Sequence, residues 1–342
     1  MLTIFLIVFL ACFVLTGGVR RYALWRHALA MPEFRHGPLE PTPRDGGLAM
    51  MLIFIALYFE LFAKGLLELD TTRGLAWSSF VVLVTGLLRQ FSSLNLRTRL
   101  MLQALAAFAA LHWYQPDLIL LVFDYSFYLS GVWMLLPWLA LIWFINLFNF
   151  MDGIDGFVGS QAFIMIFGSA CLLALAGEPA WTTTLLLLCA PILGFLAWNW
   201  PPAKIFMGEV GAGALALLVT ITGMHLAAET SLNLWSWLIL MSGFIVDGAW
   251  SLVVRYFKAK DWHRSHRMHA YQILARRWDS HFWVCVLLWA IAAFWLMPLA
   301  YLAMQYEEYG LIILVVAMAP LMVACGYLGA GQPKEPSLDE LD

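Results

Sequence analysis

Between Asn146 and Gly156 the chain reads Asn-Leu-Phe-Asn-Phe-Met-Asp-Gly-Ile-Asp-Gly, two amides and two acids interrupting an otherwise apolar stretch. Asp152 and Asp155 are three residues apart and Asn149 stands three residues earlier, a spacing that puts all three on one side of a helix or tight turn. A charged pair at the end of an apolar run is expensive unless it faces water, a partner or an ion. Hard oxygen donors in a row suit Mg²⁺ and a phosphorylated substrate better than zinc. A polar loop that merely caps two helices, with Gly153 and Gly156 as turn residues, accounts for the same letters and stays open.

Three other polar clusters carry comparable chemistry. Pro41-Thr42-Pro43-Arg44-Asp45-Gly46-Gly47 is a rigid turn whose glycines would let backbone approach a ligand closely. Asn199 to Gly213 is a glycine-rich turn leading into an apolar run, with Lys204 as a point charge; free N–H groups at such a helix start attract phosphate. Close helix packing through small residues explains the glycines of that turn equally well. The third cluster holds His263, Arg264, His266, Arg267, His269, Tyr271 and Gln272. Its histidines fit no zinc signature, and arginine with histidine suits phosphate better. Asp247 lies within an apolar run and must face either the site or another helix, whereas Glu60 is placed to snorkel.

These clusters need elements to hold them, and composition says which. Of 342 residues 63% are hydrophobic and 12% charged, against about 25% charged in soluble domains. The expected fold is therefore all-α, a polytopic membrane protein with about eleven transmembrane helices, residues 1–330 forming one domain and 331–342 a short tail. The spans expected are Leu2 to Gly18, Gly47 to Ala63, Leu75 to Leu88, Leu100 to Trp113, Val132 to Phe150, Phe157 to Ala176, Trp181 to Trp200, Gly211 to Ala228, Leu232 to Phe257, Phe282 to Met304 and Leu311 to Leu328. Leu118 to Ser130 is aromatic and weakly apolar, which suggests an interfacial or re-entrant piece. The first run is kept as an anchor, because Arg20 and Arg21 follow it and no small-residue cleavage site does. Cys12, Cys171, Cys189, Cys285 and Cys325 lie inside apolar runs without CxxC spacing, so neither disulfides nor a zinc centre is indicated.

Lys and Arg fix the orientation. Seventeen of the 19 follow odd-numbered spans and only Lys64 and Arg73 follow even-numbered ones. That asymmetry puts the carboxy terminus and all four polar clusters in the cytoplasm.

Four segments, in order, resemble the polyprenyl-phosphate N-acetylhexosamine-1-phosphate transferase family, in its O-antigen-initiating branch: the turn at Pro41, the run at Asn146, the run from Asn199 through Gly211, and His266 through Gln272. Phospho-MurNAc-pentapeptide transferase is a more distant relative. The resemblance implies transfer of a sugar phosphate of the GlcNAc, QuiNAc or FucNAc type from a UDP-sugar to undecaprenyl phosphate, with UMP released. It implies Mg²⁺, or Mn²⁺ in its place, and a bacterial inner membrane with the site on the cytoplasmic face. Membrane lipid is a further partner, a homodimer is left open, and no nucleic acid is expected. By the same resemblance Asp152, Asp155 and His266 are catalytic. Asn149, Asn199, Lys204, Phe206, Arg267 and His269 bind substrate, Phe206 by stacking on uracil, and Asp155 and Glu209 serve the metal.

Two departures stand out. Where the family carries an Asp-Asp pair after the third span, this chain reads Gly86-Leu87-Leu88-Arg89-Gln90, and where it carries an Asp after Phe-Met-Gly, this chain has Glu209. A non-catalytic relative that binds prenyl phosphate or nucleotide sugar, and a transporter with Asp152, Asp155 and Asp247 along a polar path, are the competing readings. Reporter domains fused after Gly156 and after Gln272 are expected to be active only as cytoplasmic reporters. A periplasmic signal at either position would separate the clusters and remove the common site.

Overall fold

Apolar runs punctuated by Gly, Pro, Asn and Ser become helices because a bilayer offers no water to unpaired backbone groups. The computed structural model describes residues 1–26, 29–30, 41–91, 95–258 and 268–332, with 29–30, 86–91 and 96 described by their backbone alone. Its helices are α1 (Leu2–Trp25), α2 (Gly47–Ala63), α3 (Leu69–Phe91), α4 (Leu96–Trp113), α5 (Leu135–Met151), α6 (Phe157–Leu175), α7 (Pro179–Asn199), α8 (Gly208–Glu229), α9 (Leu234–Leu240), α10 (Ser242–Lys258), α11 (Ala270–Trp278), α12 (His281–Ile291), α13 (Met297–Gln305) and α14 (Gly310–Leu328). Side chains of Asn95 and Asn233 cap α4 and α9 by accepting from Thr98 N and Ser236 N.

All eleven apolar runs lie on helix, yet the expected count of eleven crossings is not reached among the described residues. Seven stretches are long and apolar enough to cross a bilayer, and eight if the bent pair α9 and α10 is one span. The shortfall has a physical reason: α2 has 17 residues, and Asp70 and Arg73 in α3 and Arg97 and Arg99 in α4 dilute the apolar character of those helices. The multi-pass helical membrane fold itself stands. Strand is confined to two small antiparallel pairs, β1 (Leu29–Ala30) with β2 (Thr42–Pro43), and β3 (Ile119–Val122) with β4 (Tyr125–Tyr128). The stretch expected to be an interfacial or re-entrant piece, Leu118 to Ser130, thus contains a hairpin. Trp235 donates its indole N–H to Leu121 O at 2.7 Å and Phe123 N–H donates to Glu308 O at 2.9 Å, so the hairpin closes the end of the bundle away from the polar clusters.

α8 is the axis of the bundle. Every residue from Val210 to Leu226 is buried, including the polar Thr220, Thr222 and His225. A helix apolar on all sides belongs in the middle; α2, α3, α5 and α6 pack around this one. Close approach is made possible by small residues: a Cβ on Gly211 would stand 2.6 Å from the Cα of Gly47, so the first turns of α2 and α8 touch backbone to backbone. α1 lies against α7, where Trp198 donates to Phe13 O at 2.9 Å, and leaves most of its surface to lipid. The chain bends by 72° between α9 and α10, at Met241 just before the Ser242-Gly243 pair.

The Gly47–Gly211 contact sets the height of two helix starts at once. Gly211→Ala or Gly47→Ala is expected to cost about 1–3 kcal/mol of stability by overpacking against backbone that cannot rotate away. A lowered midpoint for each variant in detergent thermal unfolding checks this; an unchanged midpoint for both would show that the helices can separate freely.

Candidate active site

Successive helices run antiparallel, so the turns after α5 and α7, the approach to α2, and the start of α11 all arrive at the same end. Hydrogen bonds confirm that they meet. Asp155 is buried, and its Oδ2 accepts from Ala203 N at 2.9 Å; in return Asn199 Oδ1 accepts from Gly156 N at 3.1 Å, and its Nδ2 donates to Ile205 O at 3.0 Å. The 152–156 turn and the 200–207 turn thereby hold each other through two side chains. The 200–207 turn is next tied to the approach to α2: Phe206 N donates to Pro43 O, Gly46 N to Phe206 O and Gly47 N to Met207 O, each at 2.9 Å. Gly46 and Gly47 were expected to open backbone to a ligand; instead they let two loops interlock, and their N–H groups are already used.

The fourth cluster docks through Asp247. Its carboxylate is buried, with Oδ1 accepting from Ala270 N at 2.9 Å and from Ser251 Oγ at 3.2 Å, and lying 3.2 Å from His269 Nδ1; Oδ2 accepts from Tyr271 N at 3.0 Å. An acid at the amino end of α11 compensates that helix's unpaired N–H groups. Tyr271, so placed, donates from its hydroxyl to Phe150 O at 3.0 Å and stacks on Phe157 with centroids 4.5 Å apart. A Cβ on Gly153 would meet the Tyr271 hydroxyl and would stand 2.6 Å from Gln272 Nε2, which is why that turn needs a glycine. His266 and Arg267 lie outside the described residues, as do the side chains of Arg89 and Gln90.

The remaining polar side chains of this end form a different subset. Asn149 donates from Nδ2 to Ile145 O at 2.7 Å, and its buried Oδ1 has no hydrogen-bond partner among the described residues. Asp152 caps α5 and is half-buried; its pKa is pushed up to about 7 by burial first, then by the neighbouring carboxylates of Asp155 and Glu209, with Arg44 pulling the other way. Burial also raises the carboxyl of Asp45, which sits at a left-handed φ of 68° against Gly208. Glu209 is exposed in the first turn of α8, Phe206 is half-buried, and His269 is buried. Lys204 places its ammonium 5.9 Å from the Trp198 ring centroid, sharing that face with Arg20, whose Nε donates to Lys204 O at 3.0 Å.

The chemistry of this set fits a hard cation. Among the described residues no three His, Cys, Asp or Glu side chains converge closely enough to hold an ion by themselves. Asp152 is nonetheless within electrostatic reach of Asp155 and Glu209, and mutual repulsion of carboxylates is what a divalent ion relieves; Asn149 Oδ1, one turn before Asp152, is a further oxygen donor. The sequence did not point to Asp45 or His281 as part of this region. Asp45 sits in a noted loop but without an assigned role, and His281 is a lone histidine at the head of an apolar run.

Residues 72–227 match the family described as glycosyl transferase family 4. The chain is 28% identical to a probable undecaprenyl-phosphate N-acetylglucosaminyl 1-phosphate transferase of Bacillus subtilis, over 68% of this chain and 64% of that relative. It is 27% identical to a phospho-N-acetylmuramoyl-pentapeptide-transferase of Streptococcus pneumoniae, over 68% of this chain and 73% of that one. Over these stretches the chain is similar to polyprenyl-phosphate hexosamine-1-phosphate transferases. It spans a little under two thirds of the length of the Bacillus relative.

Asp152 gives this protein a pH signature. A carboxyl whose folded pKa is raised contributes stability at low pH and loses it as pH rises through the folded value. Cation-free protein is therefore expected to melt progressively lower as pH rises from about 4 to about 8, and Asp152→Asn should remove that slope. Differential scanning fluorimetry across that range, with chelator present, checks it.

Proposed function

We propose that this protein transfers an N-acetylhexosamine-1-phosphate from a UDP-sugar to undecaprenyl phosphate, at the cytoplasmic face of a bacterial inner membrane. This would be the first lipid-linked step of a cell-surface polysaccharide such as O-antigen. The observation that carries the reading is the interlocking of the 152–156 turn, the 200–207 turn and the approach to α2 at one end of the bundle, where Asp152 lies among other acids. The names of the Bacillus and Streptococcus relatives support the substrate class, and the seventeen-to-two charge asymmetry supports the side.

In the reaction an oxygen of the lipid phosphate attacks the sugar-bearing phosphorus of the UDP-sugar. One P–O bond forms to that phosphorus, and the bond from it to the oxygen bridging to the uridine-bearing phosphorus breaks. UMP leaves with that oxygen, and the lipid keeps a pyrophosphate. The attacking phosphate is already largely ionised, its second pKa being about 6, so the protein's task is positioning and neutralisation more than proton removal. Asp152, Glu209 and Asn149 would hold Mg²⁺, or Mn²⁺, which when bound supplies positive charge against the pyrophosphate. Half-buried Phe206, with its backbone fixed by Pro43 and Gly46, offers a ring for uracil. Asp155 and Asn199 act on the turns: they keep Phe206 and Glu209 in register with Asp152. Arg267 and His266 would meet the pyrophosphate and sugar end.

Purified protein with UDP-GlcNAc and undecaprenyl phosphate is expected to form lipid-linked sugar and UMP only when Mg²⁺ or Mn²⁺ is present. Asp152→Asn should lower kcat by on the order of 10²-fold or more, the scale of a lost electrostatic contact in a catalytic site. Product formation that ignores chelator would remove the metal from this reading. Binding of UDP-sugar without turnover would favour the non-catalytic relative suggested by Arg89-Gln90.

A further inference from the structure

The carboxylate at Asp155 is held from a second side by a residue outside all four motif clusters. His281, the first residue of α12, lies with Nδ1 3.3 Å from Asp155 N and 3.3 Å from Asp155 Oδ2. One turn later Cys285, fully buried, donates its thiol to Asp155 O at 3.3 Å. Asp155 is therefore held by one face of α12 at its carbonyl, through Cys285, and at either its amide or its carboxylate, through His281 Nδ1, while the same Oδ2 accepts from Ala203 N.

The ring's other nitrogen explains why this arrangement is not simple packing. If Nδ1 accepts the Asp155 N–H, the ring proton sits on Nε2; if Nδ1–H donates to Oδ2, Nε2 is an acceptor in the neutral ring and a donor in the imidazolium. Buried His281 Nε2 has no hydrogen-bond partner among the described residues, and a desolvated polar group left unpaired is costly. An apolar residue at the head of α12 would avoid that cost. What the imidazole adds is the Nδ1 contact with Asp155.

We propose that His281 is a positioning residue of the transferase site: through Nδ1 it fixes Asp155, and through Asp155 it fixes the 200–207 turn that carries Phe206 toward the substrate. It touches no reacting atom. Only the kinetic arm of the test rests on the transferase reading; the structural arm stands without it.

Hydrogen exchange of the detergent-solubilised full chain supplies the structural arm. His281→Ala should make the amides of Asp155 and Ala203 exchange roughly tenfold faster, the scale of one lost buried hydrogen bond, while α8 stays protected. His281→Asn, which can place an amide oxygen near the Nδ1 position, should restore protection, and His281→Gln, which reaches the Nε2 position instead, should not. In the kinetic arm His281→Ala should lower kcat/KM by on the order of 10²-fold, as small misplacements do. Combined with Asp155→Asn it should add little further loss, because both changes break one contact. Unchanged exchange at Asp155 and Ala203, rescue by Gln instead of Asn, or fully additive kinetic losses would each overturn the proposal. A wild type without turnover would sink the transferase reading and leave the exchange result to decide the role of His281.

Discussion

Two side chains, Asp155 and Asn199, hold this protein's functional end together. Each reaches from its own turn to a backbone N–H of the other, Asp155 to Ala203 and Asn199 to Gly156, and both are buried. Neither turn could be displaced without stranding a polar group from the other in a poorly hydrated interior, and a stranded group costs more than the bond is worth when made. The pairing therefore acts as a register pin between α5–α6 and α7–α8. Everything that follows in the site, from the half-buried Phe206 to the first turn of α8 with Glu209, inherits its position from that pin.

Glycine completes what the pin begins. With α2 and α8 in backbone contact at Gly47 and Gly211, and Asp45 lodged against Gly208, the acids of two loops are brought near Asp152. Like charges gathered in this way oppose folding unless something positive joins them. Burial is the larger cause of the raised pKa of Asp152, that opposition adds to it, and Arg44 is a partial counterweight from the protein itself. Structural economy at the glycines and electrostatic tension at the acids are thus two sides of the same close approach.

The helices and the gathering of polar clusters at one end could be read from residue types, because membrane helices alternate in direction and their lengths are set by the bilayer. The roles within the gathering could not. Asp155 and Asn199 look like ligands in the sequence, since an acid or amide in a glycine-rich turn has the same letters whether it faces a substrate or a neighbouring turn. Asp247 declared itself as anomalous in an apolar run, but its partners, 22 to 24 residues later, depend on the 72° bend before it, for which Ser242-Gly243 is only a faint sign. His281 carries no local signal at all, its contact being 126 residues back along the chain. The count of eleven crossings is not confirmed for a simpler reason: α3 and α4 carry charge, so helical length and apolar length part company there.

The carboxylate of Asp247 does more than cap a helix. It binds the chain at Ala270 and Tyr271 while itself lying on α10, and Gly331 N adds a bond to Met268 O at 2.7 Å. The start of α11 is consequently moored both from α10 and from the residues that follow α14, so Tyr271 keeps its place over Gly153 through an acid that belongs to neither of the turns it serves.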